Sequence, residues 1–278
     1  MNKLLVFQTD FGLDDGAISA MEGVAFCVDR DLNIRHLTHN IPPYNIFDAS
    51  YRLYQAIDYW PEGTTFVCVV DPGVGSERKS IVAKTSTGQY IVTPDNGTIT
   101  HIDKHVGIEE IRQIEESTNR LKNSELSYTF HGRDVYAYTG ARLASDTISF
   151  EEVGPLMPKE EAIRLELFGC RKIENGILGQ VDILDVRFGS LWTSIPYEDF
   201  KACGFNIGDD VLVEIFHEGK KVYSNRINYG KSFADVEINE PLIYMNSSYM
   251  MAVAVNQGSF SKMYGIGVGS KWQITMTR

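Results

Sequence analysis

Residues 65–78 read TFVCVVDPGVGSER, and this stretch decides the fold class that the sequence predicts. Its first six residues form a largely apolar run bounded by turn residues, as in a strand buried within a sheet. A proline and two glycines then interrupt the run, which places Asp71 at the carboxyl end of the strand. Open α/β sheets bind their ligands at this end. Asp71 and Arg78, seven positions later, are therefore expected to form an ion pair beside a substrate.

Two further stretches combine glycine with ionisable side chains in the same way. Residues 9–15 (TDFGLDD) follow a predicted strand over 3–8, and residues 130–134 (FHGRD) precede a predicted helix. Three such strand and helix ends within one domain predict a single site.

Strand and helix patterns alternate through the first half of the chain. Strands are predicted over 3–8, 32–38, 65–70, 79–85 and 89–92, and helices over 15–28, 46–59 and 133–144. Interleaved strands and helices are typical of parallel βαβ units. The sequence therefore predicts an α/β N-terminal domain over residues 1–160, with a mostly parallel sheet covered by helices on both faces.

The pattern changes after about residue 166, where short β-type runs follow one another without a long amphipathic helix. Turn signals such as Glu218-Gly219 and Gln257-Gly258 separate these runs, as in small antiparallel barrels or sandwiches. We expect a smaller all-β, barrel-like C-terminal domain over residues 161–278. The stretch 153–158 (VGPLMP) is the predicted linker.

Composition excludes several classes of partner. The 278 residues carry a net charge of −11, which argues against a nucleic-acid partner because such binding needs clustered Lys and Arg. No run reaches the roughly 18 apolar residues of a membrane span, and the N-terminus lacks the pattern of a signal peptide. The four cysteines form no C-x-x-C pair, and Cys27 and Cys68 sit in apolar runs that predict buried free thiols. A cytoplasmic location is expected.

Seven ordered pieces of sequence resemble one known family. They are TDFG at 9–12 with Asp15, PPY at 42–44, DPGVG at 71–75 with Arg78, PDNG at 94–97, FHGRD at 130–134, Asp185 with FG at 188–189, and NS at 246–247. In this respect the chain resembles the S-adenosyl-L-methionine hydroxide adenosyltransferases, whose cousins are fluorinases and chlorinases. The pieces span nearly the whole chain.

The resemblance implies hydrolysis of S-adenosylmethionine to adenosine and methionine by attack of water at the ribose C5′, without a metal or an organic cofactor. It marks Asp71, Arg78 and His131 as the residues that activate water. A physical argument supports these residue types, since bulk water has a pKa of about 15.7 and needs help to act as a nucleophile. Arg78 would favour hydroxide, and either Asp71 or His131 would take or relay the proton. The alternative is that the Asp71–Arg78 pair only holds a loop in place and takes no part in catalysis.

The resemblance also implies substrate contacts and an assembly. Asp10 matches a residue that binds the ribose diol, and Asp15 and Asp185 match residues facing the methionine amino group. Ser247 and Ser248 match positions near the methionine carboxylate. Tyr44 and Phe188 match aromatic positions that pack on the nucleoside, and Asp95 and Asn96 match positions that line the same region. Members of the family form homotrimers with sites at subunit interfaces.

Two departures from the family pattern concern serines. The segment 188–195 reads FGSLWTSI, so that Ser190 and Ser194 replace two family asparagines, the first of which binds the adenine edge. An amide pairs with that edge as donor and acceptor together, which a hydroxyl cannot do alone. The effect on base recognition is left open. Ser248 stands where the halogenating cousins carry arginine.

Three other functions compete with hydrolysis. A halogenase is disfavoured because the carboxylate of Asp71 would repel a halide. A calcium-dependent nucleoside hydrolase has a similar TDxGxDD loop, but Gln8 replaces its leading acidic residue and a hard cation needs six or more oxygen ligands. The third is a non-catalytic protein that binds S-adenosylmethionine or adenosine.

Overall fold

Residues 3–278 are described by a computed structural model, in which the chain divides into two units after Leu165. The sequence placed this boundary after residue 160. The stretch predicted as a linker lies inside the first unit, because its residues Leu156 and Met157 pair in antiparallel fashion with Arg112 and Ile111.

The first unit contains a seven-stranded sheet. Its strands are β1 (Leu4–Thr9), β2 (Asn33–Thr38), β3 (Thr65–Val69), β4 (Ser80–Thr85), β5 (Tyr90–Pro94), β6 (Ile108–Gln113) and β7 (Leu156–Met157), in the order β2-β1-β3-β5-β4-β6-β7. Strands β2, β1, β3 and β5 are parallel neighbours. Because β4 is antiparallel to both β5 and β6, β6 points in the same direction as these four. The predicted mostly parallel sheet is confirmed.

Helices cover both faces of this sheet, as predicted. They are α1 (Ala17–Val28), α2 (Ile46–Ile57), α3 (Thr100–His105) and α4 (Tyr138–Ala144), the last preceded by a π-helical turn over Gly132–Ala137. Apolar side chains of α1, the π-helical turn and α4 share one core with Leu5, Phe7 and Val67. Those of α2 and α3 share a second core with Val6 and Phe66. The alternation of side chains along β1 and β3 supplies both cores.

The second unit is a closed barrel with two short helices. Its elements are β8 (Arg171–Ile173), β9 (Gly176–Leu184), β10 (Leu191–Pro196), α5 (Tyr197–Ala202), β11 (Asp210–His217), β12 (Lys220–Tyr229), β13 (Pro241–Met245), β14 (Met250–Val255), α6 (Phe260–Tyr264) and β15 (Trp272–Thr277). Seven strands close the ring in the order β9-β10-β14-β13-β12-β11-β15, and β15 pairs again with β9. The predicted barrel-like all-β domain is confirmed, and closure leaves its ring without free edges.

Within residues 3–278, no helix combines the length and apolar character needed to cross a membrane. All four cysteines are free, and Cys68 is buried as expected. The prediction for Cys27 is wrong, because this side chain is exposed and lies away from the buried stripe of α1, formed by Ile18, Met21 and Ala25.

A pair of glycine substitutions tests the packing of α4 on the sheet. A methyl group on Gly140 would collide with Cγ2 of Val67 in β3, whereas one on Gly23 in α1 would meet no atom within 4 Å. We expect Gly140→Ala to lower the free energy of unfolding by roughly 1–3 kcal/mol through overpacking. Gly23→Ala should raise it by about 1 kcal/mol through helix propensity. Urea denaturation measures both; equal effects would contradict this account of α4 packing.

Candidate active site

The ends of two neighbouring strands supply the first components of the site. Strands β1 and β3 are parallel, with Thr9 opposite Val69, so Asp10 and Asp71 leave the sheet at the same edge. The carboxyl ends of parallel strands are the usual ligand edge of an α/β sheet. The predicted convergence of these two segments is confirmed.

Asp71 and Arg78 form a bidentate ion pair at this edge. Arg78 Nε donates to Asp71 Oδ1 at 2.7 Å, and Arg78 Nη2 donates to Oδ2. The two side chains are only 5% and 9% exposed, which protects the pair from solvent screening. Burial alone would lower the pKa of Arg78, but its hydrogen bonds to Asp71 and nearby negative charge raise it above its ordinary value. Arg78 is therefore a permanent cation.

The glycine-rich turn makes this pairing possible. Gly75 adopts a left-handed conformation with φ of +79°, and a Cβ there would lie 3.1 Å from the carbonyl oxygen of Tyr128. Glycine suits both constraints because it has no Cβ. The Val74 amide also donates to the Asp71 carbonyl at 3.3 Å. The chain thus reverses tightly enough for residue 78 to face residue 71.

His131 joins the pair from a separate part of the chain. Its ring is 5% exposed, and its Nδ1 lies 2.9 Å from Arg78 Nη2. It directly precedes the π-helical turn, a feature that is frequent at functional sites. A Cβ on the next residue, Gly132, would lie 3.1 Å from the Phe11 ring, so the absence of a side chain lets the segments 9–15 and 130–134 pack together. The third predicted segment therefore reaches the same site.

His131 is neutral near pH 7. Burial is the main cause that lowers its pKa, and the positive charges of Arg78 and Arg120 lower it further, against the opposing influence of Glu116 and Asp71. A guanidinium can only donate hydrogen bonds, so His131 Nδ1 must accept from Arg78. Because this 2.9 Å contact is the shorter of the two that the ring makes with arginines, we assign the single proton of the neutral form to Nε2, and the 3.4 Å contact of Nε2 with Arg120 Nη1 is then not a hydrogen bond.

Four residues that no sequence motif indicated surround this cluster. Arg78 Nη1 donates to Ser80 Oγ at 3.1 Å, and Ser80 Oγ lies 3.2 Å from the hydroxyl of Tyr136 and 3.2 Å from Glu116 Oε1. The fourth is Arg120, beside the His131 ring. Glu116 and Arg120 lie in irregular turns without a motif, so no local sequence signal marks them.

Asp10 is already engaged with a second predicted contact residue. Its Oδ2 accepts a hydrogen bond of 2.8 Å from the Tyr44 amide, in a turn where Tyr44 has φ of +67°. Tyr44 is 73% exposed. Asp15, by contrast, accepts a 2.8 Å hydrogen bond from the Ala17 amide at the beginning of α1. Asp10 and Tyr44 are thus brought together, while one oxygen of Asp15 holds a helix terminus.

A chain of hydrogen bonds holds Thr9, the last residue of β1, in place. Thr9 Oγ1 lies 2.8 Å from His39 Nδ1, and His39 Nε2 lies 2.8 Å from His36 Nδ1. The chain ends at Glu22, whose carboxylate is 2.9 Å from His36 Nε2. Burial lowers the pKa of His39 to about 4, so it is neutral near pH 7. These residues have a structural role beside Asp10.

Asp95 and Asn96 use their side chains within the protein. Asp95 is buried, which raises its pKa, and its Oδ1 accepts a 2.8 Å hydrogen bond from the Ile163 amide. Asn96 Nδ2 donates at 2.8 Å to the carbonyl of Val70, the residue before Asp71. Both therefore support the strand end, and direct contact with a substrate stays a prediction.

The barrel unit has its own cavity of about 620 Å³, which includes Phe188 and Ser190. Its other lining residues, which no sequence motif indicated, include Phe233, Asn256 and Ser259. The cavity wall is mainly apolar, as in most small-molecule sites. The region 255–259 carried only a turn signal in the sequence.

Ser194 does not line this cavity, because its hydroxyl is bound to the backbone of the barrel. Ser194 Oγ accepts from the Gln180 amide at 2.9 Å and donates to the Gly169 carbonyl. The second serine that replaces a family asparagine therefore has a structural role here. Asp185 Oδ1 accepts from the amides of Arg187 and Phe188 at 3.2 and 3.4 Å, which shapes the loop before Ser190.

Ser247 and Ser248 occupy a turn that Asn246 organises. Asn246 Oδ1 accepts from the amides of Ser248 and Met250 at 2.9 and 3.1 Å, and its Nδ2 is buried without a partner. Ser247 is exposed. Across residues 3–278, no group of three or more His, Cys, Asp or Glu side chains is arranged to hold a metal ion.

Comparison with known proteins places this arrangement in a family. Residues 5–154 match the model of the S-adenosyl-L-methionine hydroxide adenosyltransferase N-terminal domain, and residues 179–273 match that of its C-terminal domain. A crystal structure of an uncharacterised conserved protein from Thermotoga maritima is 32% identical, with a TM-score of 0.89 over 99% of this chain and 100% of that chain.

Curated relatives are similar over nearly their whole length. A protein of Methanocaldococcus jannaschii named (R)-S-adenosyl-L-methionine hydrolase is 32% identical over 95% of this chain and 92% of its own. A protein of the same name from Salinispora tropica is 30% identical over 97% of this chain and 96% of its own length. A fluorinase of Actinopolyspora mzabensis is 23% identical over 98% of this chain and 97% of its own length. With both domain models matched in order, this chain belongs to the S-adenosyl-L-methionine hydroxide adenosyltransferase family.

Proposed function

We propose that this protein hydrolyses S-adenosyl-L-methionine to adenosine and L-methionine. The observation that carries the proposal is the buried cluster of Asp71, Arg78 and His131 at the ligand edge of the sheet, in a chain of this family. The relatives named hydrolases share 28–32% of their residues with it, against 23–24% for those named fluorinases. The relatives' name specifies the (R) epimer at sulfur, and we extend that preference to this chain.

The reaction forms a C5′–O bond and breaks the C5′–S bond. Methionine leaves as a neutral thioether, because the sulfonium takes up the bonding electron pair, so no acid is needed at the leaving group. The difficulty lies in the nucleophile. The permanent charge of Arg78 favours a water that is losing its proton, and the carboxylate of Asp71 orients that water and takes or relays the proton. Positioning of this kind contributes about 7–11 kcal/mol in favourable cases.

We propose that the other matched residues bind the substrate. One oxygen of Asp10 accepts from the Tyr44 amide, and its remaining oxygen suits a ribose hydroxyl. Phe188 and Ser190, in the barrel cavity, would contact the nucleoside base. Asp15, Asp185, Ser247 and Ser248 are assigned to the amino and carboxylate groups of methionine, with Asp95 and Asn96 supporting the site.

The first experiment is a product assay on the purified protein. We expect adenosine and methionine from (R)-S-adenosylmethionine, less from the (S) epimer, and ¹⁸O from labelled water in the 5′-hydroxyl. Chromatography with mass detection distinguishes the outcomes. Release of adenine would indicate a nucleoside hydrolase, and a 5′-halogenated nucleoside formed in the presence of halide salts would indicate a halogenase. Binding without any product would make the protein a sensor.

The roles of the site residues predict a separation of kinetic effects. Arg78→Ala and Asp71→Asn should lower kcat by about 10²–10⁴-fold with little change in substrate affinity, because their interaction with the nucleophile develops in the transition state. Asp10→Ala should mainly raise KM, because the ribose is bound before and during reaction. Asp14→Asn, at an exposed neighbouring carboxylate, is the matched control and should leave both constants unchanged.

Steady-state kinetics and isothermal titration with substrate measure these effects. Equal losses of affinity with normal turnover in the Arg78 and Asp71 variants would contradict the assignment of a water-activating role.

We further propose a homotrimer with active sites at subunit interfaces and a cytoplasmic location. The exposure of two aromatic residues assigned to the substrate, 73% for Tyr44 and 69% for Phe188, supports sites completed by a second chain. The four free thiols suit a reducing compartment. Sedimentation velocity should show a species of three times 31.3 kDa that retains activity. A fully active monomer would overturn the shared site.

A further inference from the structure

A second guanidinium lies beside the His131 ring, at the nitrogen opposite Arg78. Arg120 Nη1 is 3.4 Å from His131 Nε2, while Arg78 Nη2 is 2.9 Å from Nδ1. The Arg120 side chain is only 7% exposed. The imidazole is therefore enclosed by two desolvated positive charges.

Four contacts hold Arg120 in place, although its segment is irregular. Its Nη1 donates to Glu116 Oε2 at 3.0 Å, its Nε to Ser124 Oγ at 3.2 Å and its Nη2 to the Ser127 carbonyl at 2.9 Å. Its guanidinium also lies 4.9 Å from the centre of the Tyr128 ring, within cation–π range. With this many directional partners, its placement beside the histidine ring is well defined.

Glu116 connects this arginine back to the predicted catalytic pair. Its second oxygen, Oε1, accepts from Ser80 Oγ at 3.2 Å, and Ser80 accepts from Arg78 Nη1 at 3.1 Å. Five side chains thus form a closed cycle, from Arg78 through His131, Arg120, Glu116 and Ser80 back to Arg78. No motif in the sequence marks the outer half of this cycle.

The charges around the ring oppose its protonation. Arg78 and Arg120 face His131 with two positive charges, and Asp71 and Glu116 supply two negative ones. A neutral imidazole leaves this cluster balanced, whereas an imidazolium would add an uncompensated charge in a buried place. It would also put a proton on Nδ1, which now accepts the hydrogen bond from Arg78, and would turn that contact into a repulsion.

We propose that Arg120, held by Glu116, is a positioning residue for hydrolysis: its positive charge beside the ring keeps His131 neutral, so that Nδ1 continues to accept the hydrogen bond that orients Arg78 against Asp71. This inference rests on the proposed function of the cluster. The active form is the one with neutral His131, and activity is lost as the pH falls through the pKa of this ring.

The two members of the Arg120–Glu116 pair should then have opposite effects. Removing the positive charge in Arg120→Met should raise the pKa of His131, and the acid limb of kcat should move to higher pH. Removing the negative charge in Glu116→Gln should lower that pKa, and the acid limb should move to lower pH. A nearby charge typically shifts a pKa by about one unit or more. A role limited to packing would not produce shifts of opposite sign.

The experiment measures the ring directly and then the reaction. The His131 resonances of the ligand-free protein are followed by NMR against pH in the wild type, Arg120→Met and Glu116→Gln, and kcat for adenosine formation is measured over the same range. Arg120→Lys, which keeps the charge, should titrate close to the wild type. Arg52→Met is the matched control, because Arg52 also forms a largely buried i,i+4 ion pair, with Asp48 in α2, and should leave both profiles unchanged.

Shifts of about one pH unit in opposite directions, seen in both the NMR titration and kcat, are the expected result. Unchanged titrations, or shifts of the same sign, would overturn the proposal. If Arg120→Met fails to fold, the direction of the His131 shift in Glu116→Gln tests the proposal by itself. If the NMR shifts occur but the wild type forms no adenosine, the hydrolytic function fails while the electrostatic control of His131 stands. If adenosine forms but neither variant moves the acid limb, the role of Arg120 in the reaction is excluded.

Discussion

The bidentate ion pair of Asp71 and Arg78 is the interaction on which the site in the α/β unit depends. Both side chains are nearly inaccessible to solvent. A buried ion pair contributes more to stability than a surface salt bridge only when its other hydrogen-bonding groups are also satisfied. Ser80 and His131 accept the remaining hydrogen bonds of Arg78, and Asn96 donates to the backbone carbonyl just before Asp71 and so holds the strand end. The strand end, the turn and the helix are organised around one buried charge pair.

This dependence explains why several predicted site residues have structural partners. Asp95 holds the backbone of residue 163, Asp15 holds the first turn of α1, and Asn96 holds the end of the strand that carries Asp71. A preorganised site requires such support, because catalytic groups must keep their geometry before the substrate arrives. Residues near a site therefore divide between those that bind a substrate and those that hold the residues that do.

Histidine illustrates how the environment decides the chemistry of a side chain. His39 and His131 are equally buried, and the pKa of each is lowered mainly by burial. His39, however, is bound to a threonine and another histidine, whereas His131 lies between two guanidiniums and beside a carboxylate pair. Only the second arrangement links the protonation of the ring to the orientation of an arginine that faces the ligand edge.

Local sequence determined the fold class, the order of elements and the placement of Asp10 and Asp71 at the same edge of the sheet, because side-chain periodicity and turn residues act over a few positions. The family motifs along the chain carried the prediction of His131 and of the residues of the barrel. Only the tertiary structure decided that β15 closes the barrel on β9, that residues 156–157 extend the first sheet, and that Ser194 binds backbone. It alone also brought Arg120 and Glu116 to His131. These features depend on contacts between distant parts of the chain, which leave no periodic pattern in the sequence.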